Sequence, residues 1–141
     1  MSTGSADLEE ARAELNARCD AIEECYEFML AYAGQGLANE QSGGAGAQIR
    51  QFLTKCEGAL AGLADFIGDF VKRLNIESAA PYTAFMHVID RDARDALAAV
   101  RLVLAQPSIS SQLVDNLNAS IHLRALLTDL FLIDEILTPR A

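Results

Sequence analysis

The feature that most constrains the fold is an unbroken apolar repeat in the middle of the chain. Between residues 48 and 74, apolar side chains recur at alternating steps of four and three: Ile49, Leu53, Cys56, Leu60, Leu63, Ile67, Phe70 and Leu74. This spacing places them on one stripe of an α-helix, whereas a β-strand would need a period of two. The repeat therefore predicts a long amphipathic helix over residues 48–74, which must bury its stripe against other helices.

Three further segments show helical periodicity. They predict helices over residues 5–33, 79–106 and 110–137. The Gly-rich segment 34–47 predicts a flexible loop, and short connections elsewhere favour antiparallel neighbours. A chain of 141 residues with 51% hydrophobic content suits one domain. The prediction is an all-α, antiparallel four-helix bundle built from two helical hairpins.

Charge and composition exclude several partners. The net charge is −9, so the chain lacks the basic face that a nucleic-acid partner requires. A polar N-terminus without a signal-peptide pattern, and the lack of an apolar run of ~18 residues, predict a cytoplasmic protein without a membrane partner. Cys19, Cys25 and Cys56 lie within helical patterns and are predicted to be reduced core thiols.

Sequence signatures of catalysis and metal binding are absent. The chain contains no Glu-x-x-His pair of the di-iron bundles, no Cys-x-x-Cys and no Gly-x-Ser-x-Gly elbow. We therefore predict no metal, no cofactor and no enzymatic activity.

Two stretches carry a resemblance to a known family. In the segment FMHVIDRDARDALAAV, Phe85, Asp92 and Arg94 match a motif of Phe, five residues, His, an acidic residue, any residue and Arg; the run Ser120–Ile136 is similar to a following Leu/Ile/Asp-rich helix. Residues 82–137 thus resemble the dimerisation and histidine-phosphotransfer domain of sensor histidine kinases. The resemblance implies a helical hairpin that binds a response regulator or a histidine kinase.

The departures from this motif concern its chemistry. Arg91 stands where the family has the phosphoacceptor histidine, and arginine cannot form a phosphoimidazole. Asp95 replaces the Thr or Asn that the family uses to position water, and Ala96 replaces the helix-bending Pro. The resemblance therefore implies a non-catalytic signalling adaptor.

His87 offers a rival interpretation. It lies one helical turn before Arg91 and could be a displaced phosphoacceptor, with Asp90 or Asp92 as its base. The simpler alternative is a solvent-facing histidine on a charged helix face.

The charged run of the third helix is the candidate partner-binding surface. It contains two pairs of opposite charge at i,i+4 spacing, which a salt-bridged solvent face would also show. As a docking patch, its mixed charge would select the partner. The residues predicted for this surface are His87, Asp90, Arg91, Asp92, Arg94 and Asp95.

The fourth helix is apolar on two sides, which favours a covered face. Leu132 and Ile136 lie off its main seam and are predicted to form an oligomer or partner face. This leaves open a homodimer and, as an alternative function, a structural or assembly subunit on a larger enzyme. A third alternative is a small-ligand-binding bundle with a pocket lined by Phe52, Phe66, Tyr82 and Phe85.

One buried charge pair is also predicted. In an up-down-up-down bundle, the start of the first helix and the end of the fourth share one end. Arg12 occupies an apolar seam position there, and Asp134 falls within the apolar pattern of the fourth helix. Because an isolated buried charge is costly, we predict that they form an ion pair.

Overall fold

The computed structural model describes residues 2–39, 46–76 and 80–137. Within these ranges the chain is helical and contains no strand, which confirms the all-α prediction. The helices are α1 (Ser2–Ala33), α2 (Gly46–Leu60), α3 (Leu63–Arg73), α4 (Ala80–Leu104), α5 (Ser111–Ala119) and α6 (His122–Leu137).

The single helix predicted over residues 48–74 is wrong, because the chain breaks it into α2 and α3 at Ala61 and Gly62. Gly62 has φ 71°, a left-handed conformation that a residue without a Cβ adopts at little cost. Leu60 and Leu63 flank the break and are both buried. The apolar stripe therefore continues across the kink, while the backbone changes direction.

The single helix predicted over residues 110–137 is also wrong, because α5 ends and α6 begins around Ile121. Ile121 has φ 61°, which is uncommon for a β-branched residue, and its side chain is 57% exposed. Leu117 and Leu123 on either side are buried. Packing of these two leucines thus holds the break in place.

The helices surround one continuous core. α1 packs against α2, α3, α5 and α6, and α4 packs against the same four helices. We therefore place α2 and α3 on one side of the line that joins α1 and α4, and α5 and α6 on the other side. Large side chains that are completely buried at its centre include Ile22, Met29, Ile49, Leu53, Leu63, Ile67, Ile89 and Leu126.

Two arginines reach the C-terminal ends of other helices. Arg50 of α2 donates to the carbonyl oxygens of Leu104 at 3.0 Å and Gln106 at 2.6 Å, at the end of α4. Arg12 of α1 donates to the carbonyl oxygen of Leu137 at 3.0 Å, at the end of α6. These bonds link α2 to the end of α4 and α1 to the end of α6, and they satisfy carbonyls that a helix end leaves free.

A buried group of hydrogen bonds, here called the polar clasp, fastens the end where α1 stops and α5 begins. Tyr32 Oη donates to the Ile109 carbonyl at 2.6 Å, and Ser111 Oγ donates to the Tyr32 carbonyl at 2.6 Å. The Leu37 N–H donates to Ser111 Oγ at 2.9 Å. The start of the loop predicted to be flexible over 34–47 is therefore anchored, and residues 40–45 lie outside the described residues.

The predicted burial of Asp134 is wrong. Asp134 is exposed, because the buried face of α6 runs through Leu130 and Ile133 and position 134 turns away from it. The guanidinium of Arg12 donates to the Leu137 carbonyl at the C-terminal end of α6, and it lies 5.3 Å from the centre of the Phe70 ring. A helix terminus and an aromatic face thus take the role that the sequence had assigned to a carboxylate.

Candidate functional site

The predicted partner-binding surface is divided between two sides of α4. His87, Asp90 and Arg94 line an open groove shared with α3. Asp92 instead interacts with Asp129 of α6, as described below. The two remaining charged residues, Arg91 and Asp95, are exposed on the outer face between these sides. The structure therefore does not bring all six predicted residues into one patch.

The α3–α4 groove has a volume of about 720 Å³. Its floor contains Ala64 and Gly68 of α3, whose small side chains leave room between the helices. A Cβ added to Gly68 would meet no atom within 4 Å, so the groove is open above this residue. Its charged walls are formed by Asp65, Asp69 and Lys72 of α3 and by His87, Asp90 and Arg94 of α4.

The Asp90–Arg94 pair expected from i,i+4 spacing is present. Arg94 Nε donates to Asp90 Oδ1 at 2.9 Å, and the Arg94 side chain is 76% exposed. Because solvent screens so exposed a pair, it contributes little to stability. Its main effect is to hold both side chains along the groove wall.

His87 is exposed on the same groove. Of the two carboxylates considered as its base, Asp90 lines this groove, while Asp92 is directed to the α6 side of α4. The geometry therefore leaves Asp90 as the carboxylate to pair with a displaced phosphoacceptor at His87.

Asp92 and Asp129 form an acid pair between α4 and α6. Oδ2 of Asp129 is buried, and the carboxyl group of Asp92 is close enough to affect its ionisation. Burial, then a hydrogen bond to Asp92 and its charge, raise the pKa of Asp129 to about 7. The pair therefore retains a proton up to near-neutral pH. Sequence reasoning missed Asp129, although its position between the core residues Leu126 and Leu130 marked it as close to the buried face.

The acid pair predicts a stability that depends on pH. Since the folded chain holds the proton up to about pH 7 and an unfolded aspartate only to about 3.8, the free energy of unfolding should fall as pH rises between these values. Asp129→Asn should remove this dependence and, at pH 8, raise the free energy of unfolding by about 1 kcal/mol. Urea denaturation at pH 5 and pH 8 measures both effects. The exposed Asp95→Asn is the control; an unchanged pH dependence in Asp129→Asn would contradict the assignment.

Apolar side chains are exposed mainly along α6. Leu132 and Ile136, predicted as an oligomer or partner face, are 52% and 53% exposed. Phe131 of α6 and Ile121 at its start are 52% and 57% exposed. α6 and the residue before it therefore carry four of the six large apolar side chains that the described part of the chain leaves in solvent.

Two of the four rings predicted to line a ligand pocket are used in packing. Phe52 of α2 stacks on Phe28 of α1 with the ring centres 4.3 Å apart. The guanidinium carbon of Arg18 lies over the ring of Phe66 of α3, 5.2 Å from the ring centre. The pocket shared by Phe52, Phe66, Tyr82 and Phe85 stays a prediction.

The cysteines are free thiols in or near the core. Cys25 and Cys56 are completely buried, and a hydrogen bond between them together with burial raises the pKa of Cys25. Burial raises the pKa of Cys19 to about 11. The thiols of Cys19 and Cys25 therefore stay protonated near neutral pH. Among the described residues, no group of three or more His, Cys, Asp or Glu side chains is placed to hold a metal ion.

Comparison with known proteins gives no family for this chain. No family model matches it, and no curated protein or solved structure matches it either. Within the described ranges, no helix combines the length and the apolar character needed to cross a bilayer.

Proposed function

We propose that this chain is a non-catalytic adaptor that binds a signalling protein through the α3–α4 groove. The observation that supports the proposal most is that His87, Asp90 and Arg94, three residues of the charged run, line one open groove. The resemblance of residues 82–137 to a histidine-phosphotransfer domain gives the partner class: a response regulator or a histidine kinase.

The shape of the groove suits a helix of the partner. Ala64 and Gly68 leave the floor low, which lets a partner helix approach the α3 backbone closely. Asp65 and Asp69 face Arg94 across the groove, so the walls carry both signs of charge. Mixed charge of this kind fixes the orientation of a partner and disfavours a wrong one more than it adds affinity.

The position of Arg91 agrees with a role without phosphoryl transfer. Arg91 occupies the acceptor position of the resembled motif and is exposed outside the groove. His87 remains the rival acceptor within the groove. Incubation with a phosphorylated receiver domain and a search for phosphohistidine, in the wild type and in His87→Ala, distinguish an adaptor from a phosphotransfer protein.

The same proposal includes the architecture. We interpret the six helices as a four-helix bundle in which two members, α2–α3 and α5–α6, are each interrupted once. The packing of α1 and of α4 against both interrupted members supports this interpretation.

The groove can be blocked with a matched control. Gly68→Leu fills the groove, whereas Gly58→Leu adds the same side chain to α2, where a Cβ also meets no atom within 4 Å and the residue is exposed. Both variants remove a helical glycine, so their stabilities should change similarly. We expect Gly68→Leu to weaken binding at least tenfold and Gly58→Leu less than twofold. The measurement is biolayer interferometry against purified receiver domains and kinase cytoplasmic regions from the same organism.

Two results would contradict this function. The signalling role is wrong if no receiver domain or kinase binds the wild-type chain. The groove is the wrong site if a partner binds Gly68→Leu and Gly58→Leu equally.

In the alternative function, a structural or assembly subunit on a larger enzyme, the exposed Leu132 and Ile136 would carry the interface. Binding to such an enzyme would then survive Gly68→Leu and be lost in Leu132→Asp.

A further inference from the structure

A second groove lies between α1 and α6. Its apolar lining comes from Tyr26 and Leu30 of α1 and from Leu127 and Phe131 of α6, and its volume is about 320 Å³. Leu30 and Phe131 are 51% and 52% exposed. This volume lies at the low end of the roughly 300–1,000 Å³ of small-molecule sites, and it suits one or two large apolar side chains of a partner.

The α1–α6 groove is separate from the α3–α4 groove. Since α1 and α4 each pack against both α2–α3 and α5–α6, the contacts between α1 and α6 and those between α3 and α4 lie on opposite sides of the molecule. A protein bound at one groove therefore leaves the other accessible.

The α1 wall of this groove is acidic. Glu23 and Glu27 lie one helical turn apart along it. The basic residues of α1 are Arg12 and Arg18. Arg12 donates to the Leu137 carbonyl, and Arg18 donates to the carbonyls of Ala59 and Ala61 and pairs with Glu14. Neither arginine is therefore placed to neutralise this wall.

The α6 wall carries the opposite sign at one position. Arg124 lines it together with Thr128. Two carboxylates on one side and one guanidinium on the other leave the groove with a net negative charge. A partner that fits would place apolar side chains in the centre and most of its positive charge towards α1.

We propose that the α1–α6 groove binds an amphipathic helix of a partner protein, with an apolar anchor between Leu30 and Phe131 and with Lys or Arg residues directed at Glu23 and Glu27. Helix-in-groove recognition uses apolar anchors at i, i+3, i+4 and i+7, and flanking charges select the partner. A second copy of this chain fits less well, because each copy carries a net charge of −9. This binding site is independent of the function proposed for the α3–α4 groove.

A displayed peptide library tests the proposal directly. Each peptide has apolar residues at i, i+3, i+4 and i+7, and its flanking positions are randomised. Peptides are selected for binding to the full chain. We expect the selected peptides to be enriched in Lys and Arg at positions beside the anchors. Their affinity, measured by fluorescence anisotropy, should fall at least threefold when salt is raised from about 50 to 300 mM, because the attraction is screened.

Variants of the chain test whether the selected peptides bind in the α1–α6 groove. Phe131→Asp should weaken the selected peptides at least tenfold, while Leu102→Asp, which changes a 67% exposed leucine outside this groove, should change affinity less than twofold. The double variant Glu23→Gln/Glu27→Gln should weaken them at least threefold without altering the apolar lining. Gly68→Leu should have no effect, which separates this result from the test of the α3–α4 groove.

Three outcomes would overturn the proposal. The first is a selection that yields no binders or yields flanks without basic enrichment. The second is equal loss of affinity in Phe131→Asp and Leu102→Asp. The third is a dimer in sedimentation velocity that Phe131→Asp dissociates, which would show that a second copy covers this groove.

Discussion

Replacing Ile67 with alanine should lower the free energy of unfolding by about 2–4 kcal/mol, a large effect for a single substitution. Ile67 is completely buried at the centre of α3, so its truncation leaves a cavity. At 11 residues, α3 is too short to be stable alone and depends on this packing. Urea denaturation followed by circular dichroism measures the loss, and the exposed Lys72→Ala should change stability by less than about 0.5 kcal/mol.

The same variant connects stability to function. Because α3 forms one wall of the α3–α4 groove, loosening this helix should weaken a groove-bound partner even under conditions where most of the chain remains folded. Hydrogen exchange should show faster exchange of α3 amides than of α4 amides in Ile67→Ala. A uniform change across both helices would show instead that α3 unfolds only together with the whole domain.

Replacing Ser111 with alanine should cost about 2 kcal/mol, a large effect for the loss of one oxygen atom. Ser111 is 2% exposed, and its hydroxyl both donates to the Tyr32 carbonyl and accepts from the Leu37 N–H. Alanine would leave the buried Tyr32 carbonyl without this donor and the half-buried Leu37 N–H without this acceptor.

The neighbouring serine is a matched control for this prediction. Ser110 caps α5 by accepting from the Leu113 N–H at 3.0 Å, so Ser110→Ala should cost about 1 kcal/mol, the usual effect of losing a helix cap. Equal losses in the two variants would mean that the polar clasp adds nothing beyond ordinary capping.

The sequence predicted where the helices lie better than where they break. The steps of three and four from Ile49 to Leu74 continue through Gly62 without interruption, because Leu60 and Leu63 keep the spacing that a straight helix would have. Periodicity records which side chains are buried, and it does not record the backbone angle of a residue between them. The break at Ile121 is harder still to foresee, since isoleucine seldom adopts a positive φ.

The candidate site was predicted only in part, because the sequence does not show which helix packs on each side of α4. Asp90 and Asp92 are close in sequence but point about 200° apart around a helix, since each residue turns by about 100°. The predicted single charged surface is divided because different helices pack on the two sides of α4. Only the fold shows that α3 borders Asp90 and that α6 brings Asp129 to Asp92.

The conformation of Ile121 has a consequence for the shape of the molecule. Holding a β-branched residue at positive φ costs about 1–3 kcal/mol, which a continuous helix from α5 into α6 would not incur. The bend persists because burial of Leu117 and Leu123 outweighs this cost. The strain at Ile121 therefore reduces the free energy by which core packing favours the bent arrangement of α5 and α6 over a straight one.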